Sequence, residues 1–142
     1  MITPATTADH PAIIKVWELS VRATHHFITE EYLQEIKALL PSILPQVNIY
    51  VWKENDTIKG FVGVAGDKIE MLFIHPDSRG KGLGRGLTEF CINKLHADKV
   101  DVNEQNEQAV TFYERMGFKI KSRQDLDGLG RPYPLLIMEF VS

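Results

Sequence analysis

The chain has a single cysteine, Cys91, which excludes an internal disulfide framework. One lone thiol fits a reducing compartment, so a cytoplasmic location is expected. There is no surplus of positive charge. Sixteen Lys and Arg against nineteen Asp and Glu leave a net charge of −3. That balance argues against nucleic acid as a general partner, because such surfaces are basic. Long apolar runs are missing as well. The longest uncharged stretch, Ala38 to Trp52, contains Pro41, Pro45, Gln46 and Asn48 and is too short and polar to cross a bilayer. The opening Met1-Ile2-Thr3-Pro4 has neither a basic n-region nor an apolar h-region, so no signal peptide and no membrane partner are expected. Repeats, low-complexity tracts and linkers are absent, which points to one domain over residues 1–142. Five scattered histidines and one cysteine give no metal-ligand spacing, so no metal is expected.

What the chain does have is glycine concentrated in one place. An apolar strand from Ile69 to Ile74 runs through His75-Pro76 into a loop with glycines at 80, 82, 84 and 86, and then into a helix. Three cations, Arg79, Lys81 and Arg85, sit among them. Glycine lets the backbone turn sharply and bring its N–H groups close to a ligand, and a helix start adds unpaired donors and a positive dipole end. Together these features make a cradle for a phosphate or pyrophosphate. A Walker loop is excluded, because Gly82 rather than Ser or Thr follows Lys81. The dinucleotide fingerprint also fails for want of its third glycine, although Glu104 lies where a ribose-binding acid would be expected.

Periodicity supplies the frame. A first strand covers Met1 to Ala5. Thr7 or Asp9 caps a helix carrying Ile13, Val16, Trp17 and Val21 at helical spacing, and Ser20 to Phe27 reads as its end and a connection. Thr29 caps a second helix with Tyr32, Leu33, Ile36 and Leu40 as its buried stripe, and Pro41 is expected to end it. Strands Ile49–Lys53 and Ile58–Ala65 flank the hairpin signal Asn55-Asp56, and a turn at Gly66-Asp67 leads into Lys68–Ile74. The helix after the glycine loop runs to about His96. A strand Lys99–Asn103, a helix from about Asn106 to Met116 stopped by Gly117, and strands Phe118–Arg123 and Leu135–Val141 close the chain. The expected fold is α/β, in the α+β sense: a mixed, mostly antiparallel sheet of about seven strands with about four helices.

A second stretch carries chemistry. Asn106 and Tyr113 are seven residues apart, so on one helix they share a face two turns apart, with Ala109 leaving room between them. Read alone, Tyr113 could equally be an aromatic packing its helix on the sheet.

The loop Arg79-Gly80-Lys81-Gly82-Leu83-Gly84 resembles the coenzyme A loop of the GNAT N-acetyltransferase superfamily, and the Asn106–Tyr113 pair resembles that family's coenzyme A-contacting helix. Ser20-Val21-x-Ala23-Thr24-His25-x-Phe27, Asn103-Glu-Gln-Asn106-Glu-Gln and Pro132-Tyr-Pro-Leu-Leu136 are similar to the bacterial YjaB-type branch, which extends the resemblance over most of the chain. The resemblance implies acetyl-CoA as cosubstrate and direct transfer of the acetyl group to a primary amine, on a small molecule or a peptide. It implies coenzyme A contacts from Leu72, Phe73, Ile74, Arg79, Gly80, Lys81, Gly82, Leu83, Gly84, Arg85, Asn106 and Tyr113, with Tyr113 also supplying a proton to the departing thiolate. A backbone N–H where Leu72–Ile74 splays open would face the developing oxyanion.

The base is open between two residues. Glu70 is either a base acting through water or a solvated strand residue; His25 lies where the family builds its acceptor pocket and titrates in the right range. His26 and His75 read as structural. Cys91 falls in an apolar stripe and reads as a buried small hydrophobe rather than a nucleophile. The acceptor pocket is expected from Ser20–Tyr32 and Asp125–Tyr133, where Glu30, Glu31, Asp125 and Asp127 could draw a cation. Two competitors remain: a non-catalytic domain that only holds coenzyme A, and a small nucleotide-dependent oxidoreductase using Glu104. A monomer or a homodimer fits equally.

Overall fold

The computed structural model describes residues 1–141. Its elements are β1 (Ile2–Pro4), α1 (His10–Thr24), α2 (Glu30–Ile43), β2 (Asn48–Glu54), β3 (Thr57–Ala65), β4 (Lys68–Ile74), α3 (Leu83–Lys94), β5 (Lys99–Asn103), α4 (Glu107–Met116), β6 (Phe118–Gln124) and β7 (Leu135–Phe140), with single 3₁₀ turns at 7–9, 44–46 and 76–78. The strands form one sheet in the order β1-β2-β3-β4-β5-β7-β6. Every neighbouring pair is antiparallel except β4 and β5. This is the expected mixed, mostly antiparallel sheet with four helices.

Each sheet face buries its own core. Ile13, Val16, Trp17 and Val21 of α1 pack with Leu33 and Leu40 of α2 against Val51 and Phe61. On the other face, Leu87 and Cys91 of α3 and Tyr113 of α4 pack against Val62, Val100 and Met138. The helical period therefore decides which side chains are inside, and the two-residue period of the strands shares the sheet between the two layers. Asn55 and Asp56 both adopt positive φ, 52° and 64°, the geometry of a tight two-residue hairpin turn between β2 and β3.

Three helix ends differ from the sequence reading. Helix α1 continues to Thr24, where the backbone N–H of His25 donates to Val21. Pro41 does not end α2: it lies inside the last turn, the helix continues to Ile43, and the N–H of Leu44 still donates to the Leu40 carbonyl. A proline that close to the C-terminus removes one hydrogen bond without removing the turn. Helix α3 stops at Lys94, and His96 takes a left-handed φ of 55°.

Candidate active site

The site begins as a fault in the sheet. The parallel ladder between β4 and β5 consists of Lys68↔Lys99 and Ile69↔Val100 and then stops. Past Ile69, the edge of β4 that faces β5 has no ladder partner, so its backbone groups are available to a ligand. A bulge occurs at the same point. Gly63 and Val64 are adjacent on β3, yet they pair with Met71 and Ile69, leaving Glu70 as an extra residue. As a result Ile69, Leu72 and Ile74 join the core under α3 and α4. Met71 and Phe73 join the core under α1 and α2.

The opening between β4 and β5 is a cleft of about 510 Å³. Leu72, Phe73 and Ile74 form one wall, and the glycine loop and the start of α3 form its end. Gly80 and Gly82 hold φ of 77° and 85°, and nothing lies within 4 Å of the place a Cβ would take at either. The helix starts at Leu83, so Gly84 and Gly86 belong to its first turn rather than to the loop. Its first backbone bond is from the Gly86 N–H to the Gly82 carbonyl at 2.9 Å. The N–H groups of Leu83, Gly84 and Arg85 therefore have no intrahelical acceptor. Gly86 has a different purpose: a Cβ there would stand 2.7 Å from the Trp52 ring, so its absence lets α3 lie against β2. Arg79 donates to the Gln108 side chain at 2.6 Å, tying the loop to α4. Arg79 and Arg85 line the cleft, whereas the exposed Lys81 does not. An open glycine cradle, forward-pointing N–H donors, two cations and an unpaired strand edge fit an extended, phosphorylated cosubstrate.

Tyr113 packs and reaches the cleft at once. Its ring contacts Phe112 and Phe118 at centroid distances of 5.1 and 5.3 Å, while the residue also lines the cavity. Burial, with a smaller contribution from Cys91, holds its phenol above the ordinary range, so it stays protonated. Asn106 caps α4, its Oδ1 accepting the Ala109 N–H at 3.2 Å.

His25 joins this group from the opposite side. Thr24 Oγ1 donates to the Ser20 carbonyl at 2.9 Å, so it accepts from His25 Nδ1–H at 2.8 Å. That arrangement leaves the Nε2 lone pair toward the Asn106 side-chain nitrogen, at 3.5 Å. Burial, and secondarily the nearby His26, pushes the His25 pKa down to about 4. The imidazole is neutral at ordinary pH and reluctant to accept a proton.

A second chamber of about 470 Å³ meets the cleft at His25, Glu70, Met71, Phe73 and Asn103. It draws on both segments expected to form a pocket, through Val21, Ile28 and Tyr32 on one side and Asp127 and Leu129 on the other. The Tyr32 hydroxyl donates to the Asp127 carboxylate, and its ring stacks on Tyr133 at 5.0 Å. Among the four acids expected to draw a cation, only Asp127 lines the chamber. Glu30 pairs with Arg22 and Asp125 with Arg123. Glu104 lies off both cavities, holding Arg123 through both carboxylate oxygens, which leaves the dinucleotide reading without its acid. Asn103 was not singled out from sequence. Its position at the end of a strand, three residues before Asn106, was the available signal.

A model of the acetyltransferase (GNAT) domain matches residues 15–129. This chain belongs to the GNAT acetyltransferases. Within that family it is similar to the peptidyl-lysine N-acetyltransferase YjaB of Escherichia coli (strain K12), with 43% identity over 130 residues, 91% of this chain and 88% of YjaB. The peptidyl-lysine N-acetyltransferase YiaC of the same organism is 28% identical over 122 residues, 84% of each chain. The solution structure of apo-form YjaB from Escherichia coli matches with a TM-score of 0.91 at 40% identity, over 100% of this chain and 97% of that one. PaiA N-acetyltransferase from Thermoplasma acidophilum, solved in complex with coenzyme A, shares the GNAT fold at a TM-score of 0.75 and 21% identity, over 99% and 98% of the two chains.

Proposed function

We propose that this acetyltransferase moves the acetyl group of acetyl-CoA directly to a primary amine. The observation that carries the reading is one cleft in which the glycine cradle, the unpaired β4 edge, Glu70 and Tyr113 converge. Acetyl-CoA would supply an activated thioester. Leu83, Gly84 and Arg85 would hold its phosphates through backbone N–H groups, with Arg79 and Arg85 adding charge.

The residues of this chain then have three tasks. The amine must lose a proton, because a lysine-like ammonium has a pKa of about 10.4. Glu70 is the preferred base. It stands at the bulge where the cleft and second chamber meet, whereas Asp101, another acid on the cleft wall, is paired with Lys68. The depressed pKa of His25 suits it to orienting Asn106 better than to taking that proton. A backbone N–H on the open edge of β4 would meet the charge gathering on the carbonyl oxygen. As the carbon–nitrogen bond forms and the carbon–sulfur bond breaks, Tyr113 would give its proton to the sulfur.

Relatives named peptidyl-lysine N-acetyltransferase favour an alkyl amine as acceptor. The single, buried Cys91 suits a cytoplasmic setting. The test is thiol release from acetyl-CoA across a panel of primary amines, with the acetylated product identified by mass. Tight coenzyme A binding without release for any amine would leave a coenzyme A-binding sensor instead.

A further inference from the structure

We infer that Gln108 is a positioning residue for the cosubstrate: its neutral side-chain carbonyl holds the Arg79 guanidinium beside the glycine cradle without cancelling its charge. The inference rests on the acetyl-CoA reading of the cleft and adds to it the residue that aims this cation.

The two cations on the cleft wall are not equivalent. Arg85 already shares its charge with an anion, because its Nε lies 2.9 Å from Glu89 one turn further along α3. Arg79 has no such partner. Among the described residues no carboxylate comes within ion-pair distance of its guanidinium. Instead its Nη2 donates to Gln108 Oε1 at 2.6 Å. The amide has to face Arg79 that way, since the opposite orientation would set donor against donor. A neutral acceptor bonds a guanidinium and leaves its net charge whole, whereas a carboxylate would bond it and neutralise it.

The loop has need of an anchor. Gly80 and Gly82 hold left-handed φ with nothing within 4 Å of the place a Cβ would take. Glycine has the most backbone freedom to lose, and a long arginine side chain adds its own rotamers to that cost. Helix α4 supplies a fixed point. Asn106 caps it, Tyr113 buries it in the core, and Gln108 lies in its first turn. The bond reaches across 29 positions of sequence and joins two residues that both line the cleft. It occupies one edge of the planar guanidinium, so the remaining N–H donors stay open to a phosphate. A cation held in place before binding loses less freedom on binding, and affinity gains accordingly. What matters at position 108 is therefore an acceptor that carries no charge.

The experiment is calorimetric titration of coenzyme A into wild type, Gln108→Leu, Gln108→Glu, Arg79→Met and the double variant Arg79→Met with Gln108→Leu. Arg79 and Gln108 are both exposed, so denaturant melts of all five should nearly coincide. Gln108→Leu, which removes the acceptor, should weaken coenzyme A binding by about three- to tenfold. Gln108→Glu should weaken it by about tenfold or more, although it grips Arg79 harder, because it neutralises the cation and repels phosphate. A merely structural tether would be kept or improved by that change. In Arg79→Met, adding Gln108→Leu should cost no further affinity, since the group it positions is already gone. Wild-type affinity or better in Gln108→Glu would overturn the inference. So would an unchanged affinity in Gln108→Leu, or a loss that persists undiminished without Arg79. Each of these leaves the cosubstrate reading intact. Failure of the folded wild-type protein to bind coenzyme A would instead remove that reading itself.

Discussion

The Nε2 of His25 faces the side-chain nitrogen of Asn106 at 3.5 Å, although 81 residues separate them in the chain. Through this contact the C-terminal end of α1 meets the N-cap of α4, so the two helical layers meet across the open part of the sheet. The contact requires a neutral imidazole, since a protonated Nε2 would point a proton at an amide donor.

A pH dependence of stability follows from that requirement. In the unfolded chain His25 takes a proton near pH 6.5, and in the folded chain only near 4. Between those values the unfolded state binds more protons, so stability is intact above about 6.5 and declines as pH falls toward 4. In His25→Gln, thermal melts between pH 6.5 and 5 should show a shallower decline than wild type. Carboxylates that begin to titrate near pH 5 do so in both proteins, so the difference between the two slopes is the readout. Identical slopes would mean that the folded protein accommodates the imidazolium.

Gly84 and Gly86 are two residues apart but should fail differently. A Cβ at Gly84 meets Phe112 at an ordinary 3.5 Å, so Gly84→Val should fold while its side chain obstructs the cradle. Coenzyme A affinity is expected to fall at least tenfold, about 1.4 kcal/mol. At Gly86 the added carbon would press on the Trp52 ring, and Gly86→Ala should cost about 1–3 kcal/mol of stability, as overpacked sites do. Calorimetric titration and denaturant melts of both variants check the pair. Unchanged coenzyme A affinity in Gly84→Val would remove the loop assignment.

Replacing Tyr113 separates its two contacts. Tyr113→Phe keeps the ring against Phe112 and Phe118 and removes only the hydroxyl. Turnover should drop by roughly 10²–10⁴, the usual range for a general acid, with little change in coenzyme A affinity. Full turnover with a competent amine would return the residue to packing alone.

Deprotonation of the acceptor should depend on Glu70. In Glu70→Gln the alkaline limb of the rate is expected to shift upward, toward the amine's own pKa, because bulk water replaces the carboxylate. Cys91 makes the counter-experiment. Burial pushes its thiol up to about 12, so it is not a thiolate at neutral pH. Cys91→Ala should keep nearly full turnover. An acetyl-Cys91 trapped during turnover, with an inactive Cys91→Ala, would replace direct transfer by a covalent route.

The parts of this site that were legible in the sequence are those set by local rules. Positive φ and forward N–H donors are demands of the glycine segment itself, and the seven-residue step from Asn106 to Tyr113 is fixed by helical geometry. What the sequence left open depends on residues far apart. Gly86 reads as one more loop glycine until Trp52, 34 positions earlier, is seen against it. His25 reads as a candidate base until burial and the Thr24 contact fix its state. The second chamber takes walls from α2 and from the segment before β7, which meet through Tyr32 and Asp127. Pro41 misled because proline signals a stop, and the signal is weak once a helix has only its last turn to complete.

The extra residue in β4 has one more implication. Without Glu70, Ile69 would be followed directly by Met71, and Ile69, Met71, Leu72, Phe73 and Ile74 would alternate between the faces as an ordinary strand does, each on the side it occupies now. Glu70 is therefore an interpolation in an otherwise complete strand. The core is written in one set of positions and the carboxylate at the cleft in another. Substitutions at position 70 can explore new chemistry without disturbing the packing beneath it.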